Sequence, residues 1–109
     1  MGFVEMLKKY GRCTGLITKN LFPPVICKDG TFISAQASKY HHCYPQDDFD
    51  DVSQYEQFEV RTDVEDEVLS IYKYDEYEYR CVDANIIEAL IDKHGGLDID
   101  AINKYLEEH

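Results

Sequence analysis

The run Val25-Ile26-Cys27-Lys28-Asp29-Gly30-Thr31-Phe32-Ile33 constrains the fold of this chain more than any other stretch. Two β-prone segments flank Asp-Gly, a pair that tolerates the positive φ of a tight turn, so the run predicts a β-hairpin. In the second strand, alternation puts Phe32, Ser34, Gln36 and Ser38 on one side and Ile33, Ala35 and Ala37 on the other. The small apolar side is expected to face the core.

Further strands are expected where β-branched and aromatic residues gather. Phe58 and Val60 mark one near 56–62, and Val68–Tyr74 and Tyr77–Val82 mark two more. A two-residue turn at Asp75-Glu76 would set Tyr72 opposite Tyr79 and Lys73 opposite Glu78. Helical spacing appears at both ends of the chain. Phe3, Met6, Leu7 and Tyr10 form one stripe, closed by Gly11. Asp83 is placed to cap a helix carrying Ile86, Ile87, Leu90 and Ile91, closed by His94, Gly95 and Gly96. Asp98 can cap another, with Ile99, Ile102, Tyr105 and Leu106 as its stripe. The expected class is therefore α+β: an antiparallel sheet of about five strands, a short N-terminal helix and two C-terminal helices, in a single domain over residues 1–109.

Charge narrows the function. Twenty-two acidic residues against eleven Lys and Arg leave a net charge of -11. Such a surface repels phosphate backbones and anionic lipid headgroups, so direct nucleic-acid binding and membrane association are not expected. The apolar runs fall short of the roughly 20 residues of a membrane helix, and Glu5 interrupts any signal-peptide core. The expected location is cytoplasmic. Cys13, Cys27, Cys43 and Cys81 are scattered and read as free thiols.

Residues 38–55 make a long loop against the usual length of about 4 to 6 residues, and such loops often carry function. Ser34, Gln36, Ser38, Tyr40, His41, His42 and Tyr44 gather hydroxyls, an amide, imidazoles and stacking rings at one sheet edge. That mixture suits a small polar or nucleotide-like ligand. Next comes the acidic run Asp47, Asp48, Asp50 and Asp51. Ten of the 22 acidic residues fall between Asp47 and Glu67, opposed only by Arg61. This run could imitate nucleic-acid phosphates and occupy a basic cleft on another protein, or could simply be a solvated face.

Reactive chemistry is harder to assemble. Cys27, His41, His42 and Cys43 are zinc's preferred ligand types, but no Cys-x-x-Cys or His-x-x-x-His pair occurs, and three adjacent side chains cannot all point inward. No metal and no cofactor are expected. Cys43 beside His42 offers adjacency in sequence without a nucleophile motif. Neither a P-loop nor G-x-G-x-x-G is present.

Cys27-Lys28-Asp29-Gly30, then Ser34-Ala35-Gln36-Ala37-Ser38, Tyr40-His41-His42-Cys43 with Pro45, and Lys93-His94-Gly95-Gly96 together resemble a family of small tailed-phage and prophage accessory proteins. The chain departs from that pattern in placing Thr31 before Phe32 and in its helix after Gly96. The resemblance implies a phage setting inside a host cell and supplies no mechanism. The expectation drawn from it is a non-enzymatic accessory protein, acting in counter-defence by binding or sequestering a nucleotide-like signal or a host protein. An acidic nucleic-acid-mimic inhibitor of a host defence protein is the alternative, and a small Cys/His enzyme the second alternative. Self-association is compatible with either binding reading.

Overall fold

The computed structural model describes residues 1–15 and 20–109. The Asp-Gly turn forms where the sequence places it. Strands β1 (Val25–Ile26) and β2 (Phe32–Gln36) pair antiparallel, Val25 with Ile33 and Ile26 with Phe32. Gly30 sits at φ 92°, in the left-handed region that favours glycine. β3 (Gln57–Arg61) and β4 (Glu78–Asp83) follow, giving one antiparallel sheet in the order β1-β2-β3-β4. Helices α1 (Phe3–Tyr10), α2 (Ala84–Lys93) and α3 (Ile99–Glu108) complete an α+β architecture.

Alternation sorts the sheet into two unlike faces. Ile33, Ala35, Phe58, Val60 and Val82 are buried with Phe3, Met6 and Leu7 of α1 and Ile87, Leu90 and Ile91 of α2. The rings of Phe3 and Phe58 meet edge-on at 5.0 Å. Gly2 has no side chain with which to cap α1; Glu88 of α2 supplies the acceptor instead, taking the Phe3 N–H at 2.8 Å. α3 runs beside β1, with Ile102 buried and Tyr105 against Phe32.

The carboxyl end of α2 locks the hairpin. The Gly96 N–H donates to the Ile91 carbonyl and the Gly95 N–H to that of Asp92, a Schellman closure with both glycines at positive φ. The same segment then grips the turn: Lys28 N–H donates to the Gly96 carbonyl, and Asp98 N–H to that of Ile26. The His94 Nδ1 lies 2.7 Å from the Asp29 carboxylate and 3.1 Å from the Thr31 hydroxyl. Hydrogen bonds from Thr31, and then His94, hold the Asp29 carboxyl down at about 2. Asp98 caps α3 as its position in the sequence implies, accepting from the Ala101 N–H.

Three expectations need correction. The sheet has four strands because Val68–Tyr74 does not extend; residues Leu69–Tyr72 form a 3₁₀ turn. The Asp66 carboxylate accepts from the N–H groups of Val68 and Leu69, and the Asp66 carbonyl from that of Ser70, so local capping outcompetes β propensity. Further on, Lys73 lies opposite Tyr79, one residue off the expected register. The Asp75 carboxylate accepts from Tyr77 and Glu78 N–H and builds its own turn, in place of a two-residue hairpin loop. Asp83 precedes α2 but does not cap it through its side chain, which instead binds Gln57 Nε2 and the Tyr72 hydroxyl. Among the described residues, no helix is long and apolar enough to cross a membrane.

The polar side of β2 is also less open than alternation implies. The register that pairs Val25 with Ile33, carried onward, sets Phe22 opposite Gln36, but Pro23 lacks an N–H and Pro24 likewise, so the ladder cannot continue. The Gln36 amide takes its place. Oε1 accepts from Phe22 N–H at 2.8 Å, while Nε2 donates to the Phe22 carbonyl at 3.0 Å and to Ser34 Oγ at 3.2 Å. Replacing Gln36 with Met preserves bulk but strands two buried backbone groups. The expected loss of stability is about 2–4 kcal/mol, read from urea denaturation midpoints; a loss under about 0.5 kcal/mol would show that the clasp is dispensable.

Candidate functional site

The loop between β2 and β3 turns on Ser38. Its buried hydroxyl accepts from the Tyr40 N–H at 3.0 Å and lies 2.7 Å from His41 Nδ1. A Ser38 hydroxyl that donates to Nδ1 leaves the ring proton on Nε2, free to donate to a ligand. Burial of the half-exposed imidazole lowers the His41 pKa; Glu59 opposes that shift, and Arg12, Arg61 and His42 add to it. Neutral His41 is thus the favoured form near pH 7.

Ser38, Tyr40 and His41 line one open cleft of about 330 Å³. Its other walls are Arg12, Asn20 and Leu21 from the N-terminal loop, and Asp48 from the acidic run. The volume falls at the lower end of the roughly 300–1,000 Å³ typical of small-molecule sites. Tyr40 is 77% accessible, with the Lys39 ammonium 5.1 Å from its ring centroid. Among the described residues, Arg12 is the cation that lines the cleft. Its guanidinium lies 4.3 Å from the centroid of the Phe22 ring, Nη2 donates to Tyr55 OH at 3.0 Å, and Nη1 donates to the Asn20 carbonyl at 3.4 Å.

The seven residues singled out for a ligand therefore divide. Ser38, Tyr40 and His41 converge on the cleft. Ser34 and Gln36 are occupied in the clasp on Phe22. Tyr44 is exposed, and its backbone pairs with Gln57. His42 lies elsewhere: its N–H donates to a Glu59 carboxylate oxygen, and its carbonyl accepts from Cys81, a residue at φ 52° where β4 bulges away from regular pairing with β3.

The acidic run is largely engaged in local structure. The Asp48 carboxylate accepts from the Lys39 N–H, that of Asp47 from the Asp48 N–H, and that of Asp51 from both the N–H and hydroxyl of Ser53. All four aspartates, including Asp50, remain exposed. The buried Tyr55 ties this run to the cleft, since its hydroxyl donates to the Asp47 carbonyl and accepts from Phe49 N–H and from Arg12.

A second polar cluster occupies the outer face of β3 and β4. Donor atoms of His42, Glu59 and Glu78 lie within 4.8 Å of one another, a set whose chemistry suits a divalent ion. Glu78, however, is buried and already bound on one oxygen by Arg61 and on the other by Arg80, whose guanidinium also stacks on Tyr74. A cation would have to displace two charge-assisted bonds. The four residues considered for zinc do not assemble. Cys27 lies in the hairpin, paired with Leu97, and the buried Cys43 thiol donates to the carbonyls of Ser38 and Pro45. Burial raises the pKa of both thiols, that of Cys27 to about 11 with the Asp29 charge contributing.

Arg12 escaped the sequence reading because its surroundings, rich in Gly and Pro, read as connecting loop. One signal was available: of the three arginines, Arg61 and Arg80 have acidic residues two positions away, while the nearest to Arg12 are Glu5 and Asp29. No protein-family model matches the chain, and no curated protein or solved structure is significantly similar to it.

Two measurements check this geometry. Cys27 and Cys43 are expected to resist iodoacetamide at pH 8 until the protein unfolds: the Cys27 thiol, at about 11, is ionised in about one molecule in a thousand, and burial likewise raises the pKa of Cys43 and shields it from the reagent. Rapid native-state labelling of Cys43, seen by peptide mass spectrometry, would restore it as a nucleophile. NMR titration of the His41 ring is expected to give a midpoint below 6.5. With the folded value below the unfolded one, the unfolded chain binds more protons in that window, so His41 lowers stability as pH falls from 6.5 towards its folded pKa and has no such effect above it. A midpoint at or above 6.5 contradicts the assignment.

Proposed function

We propose that this chain is a non-enzymatic phage accessory protein, serving counter-defence in the host cytoplasm by binding a small nucleotide-like signal in the cleft between Arg12 and His41. The phage setting rests on the sequence resemblance. The ligand reading rests on one observation: residues distant in sequence bring a guanidinium, an exposed tyrosine ring, an imidazole and a backbone turn to the same small concavity. Those are the groups that hold a planar, polar molecule by stacking and hydrogen bonds. A binding role in place of catalysis is supported by the Cys43 thiol, which is buried and committed to two carbonyls.

The charge-mimic alternative has less support, because three of the four aspartates already serve the loop. The test is native mass spectrometry of protein isolated from phage-infected cells. A small molecule retained by wild type, lost in a Tyr40→Ala, His41→Ala double variant and kept when Asp47, Asp50 and Asp51 become Asn is the expected result. Stacking alone is worth about 1–3 kcal/mol per base, so the double variant should weaken binding by at least about tenfold. A host protein that copurifies and is released by the Asn substitutions, with no small molecule present, overturns the ligand reading in favour of the mimic. Asp48 is left intact because it lines the cleft.

A further inference from the structure

We infer that the cleft seats a single anionic group, of the monophosphate class, on the Arg12 guanidinium, and that it discriminates against polyphosphates. This rests on the ligand-binding reading above and adds the chemistry of the ligand's charged end.

The starting point is an imbalance. With 22 carboxylates for 11 Lys and Arg, Coulomb attraction gives every arginine ample opportunity to pair. Arg61 and Arg80 both do, on Glu78. Arg12 does not: no carboxylate of the described residues forms an ion pair with it, and residues 16–19 are Leu, Ile, Thr and Lys, with no carboxylate in their sequence. Its side chain is nevertheless held in place, by the Phe22 ring on its face and by Tyr55 OH and the Asn20 carbonyl on two of its N–H groups. Of the five donors of a guanidinium, three have no acceptor among the described residues.

A fixed planar fork with spare donors, lining a cleft, is a receptor for an oxyanion. The stacking and the Tyr55 bond fix the side chain before a ligand arrives, so little rotamer freedom remains to be lost on binding. Oxygens of a phosphate match the spacing of two parallel N–H donors. Tyr40 and His41 on the same cleft leave room for the planar, hydrogen-bonding part of the molecule.

The limit to one anionic group follows from the rest of the cleft. Among the described residues Arg12 is its sole cationic wall residue, Asp48 lines the same cavity, and nearby Lys39 is already 3.9 Å from the Asp48 carboxylate. Each phosphate beyond the first meets the field of a protein with net charge -11 and finds no second guanidinium.

Calorimetry at low ionic strength tests this on the wild-type protein, with adenosine, its 5′-monophosphate and its 5′-triphosphate, and the uridine series in parallel. In at least one series the monophosphate is expected to bind about tenfold or more tighter than the nucleoside, and tighter than the triphosphate. Inorganic phosphate should compete with the monophosphate and leave nucleoside binding unchanged. Arg12→Gln should reduce the monophosphate to the affinity of the nucleoside. If Arg12→Gln fails to fold, Arg12→Lys keeps the charge but loses the fork and should narrow the gap. Nucleosides that bind as tightly as their monophosphates overturn the anion seat and leave the ligand reading standing. A triphosphate that binds tighter than the monophosphate overturns the single-charge limit. No binding in either series overturns the inference together with the reading beneath it.

Discussion

The amide of Gln36, closed against the main chain of Phe22, is the contact on which the arrangement of the cleft depends. Pro23 and Pro24 end the β1 ladder at Val25, three positions short of Phe22, leaving a buried N–H and C=O that only a side chain carrying both an acceptor and a donor can satisfy. Glutamine supplies both from one planar group and spends its remaining proton on Ser34. Fixing Phe22 has a consequence at a distance. Its ring is the platform for Arg12, and Arg12 reaches Tyr55, whose hydroxyl anchors the acidic loop. One buried amide thus connects the edge of the sheet to the cation, the aromatic support and the loop that together frame the concavity.

The sheet separates two kinds of physics. On its inner face, Phe58, Val60 and Val82 are fully buried against α1 and α2, where area removed from water dominates. The outer face carries Glu59, Arg61, Glu78 and Arg80, and its stability depends on charges being paired. Glu78 is the critical member, since a buried carboxylate is tolerated only with partners on its oxygens. Against that neutralised patch, the guanidinium of Arg12 stands out, held by Phe22 and Tyr55 but with no carboxylate in an ion pair with it among the described residues.

Much of the fold was legible because it depends on local chemistry. The Asp-Gly turn, the double-glycine end of α2 and the Asp98 cap each involve a residue whose conformational preference or side-chain acceptor acts within a few positions. The misreadings share a cause as well. Asp66 and Asp75 are turn formers that sit next to β-prone runs, and their carboxylates capture backbone N–H groups before a strand can. Asp83 has the right position to cap α2, yet Tyr72 and Gln57, brought close by folding, take its carboxylate instead.

The sequence by itself determined the three helices and the Asp-Gly hairpin, that Ile33 and Ala35 of β2 face the core and that the loop after it concentrates polar and aromatic groups, because these follow from periodicity and near-neighbour chemistry. Only the tertiary structure decided which of those groups share a site. Ser38, Tyr40 and His41 meet Arg12, more than twenty-five positions away in the chain, while Gln36 and Ser34 are turned to structural use. The reason is physical: a side chain's role depends on which buried donors, acceptors and charges lie within about 3 Å of it, and those distances are set by packing rather than by spacing along the chain.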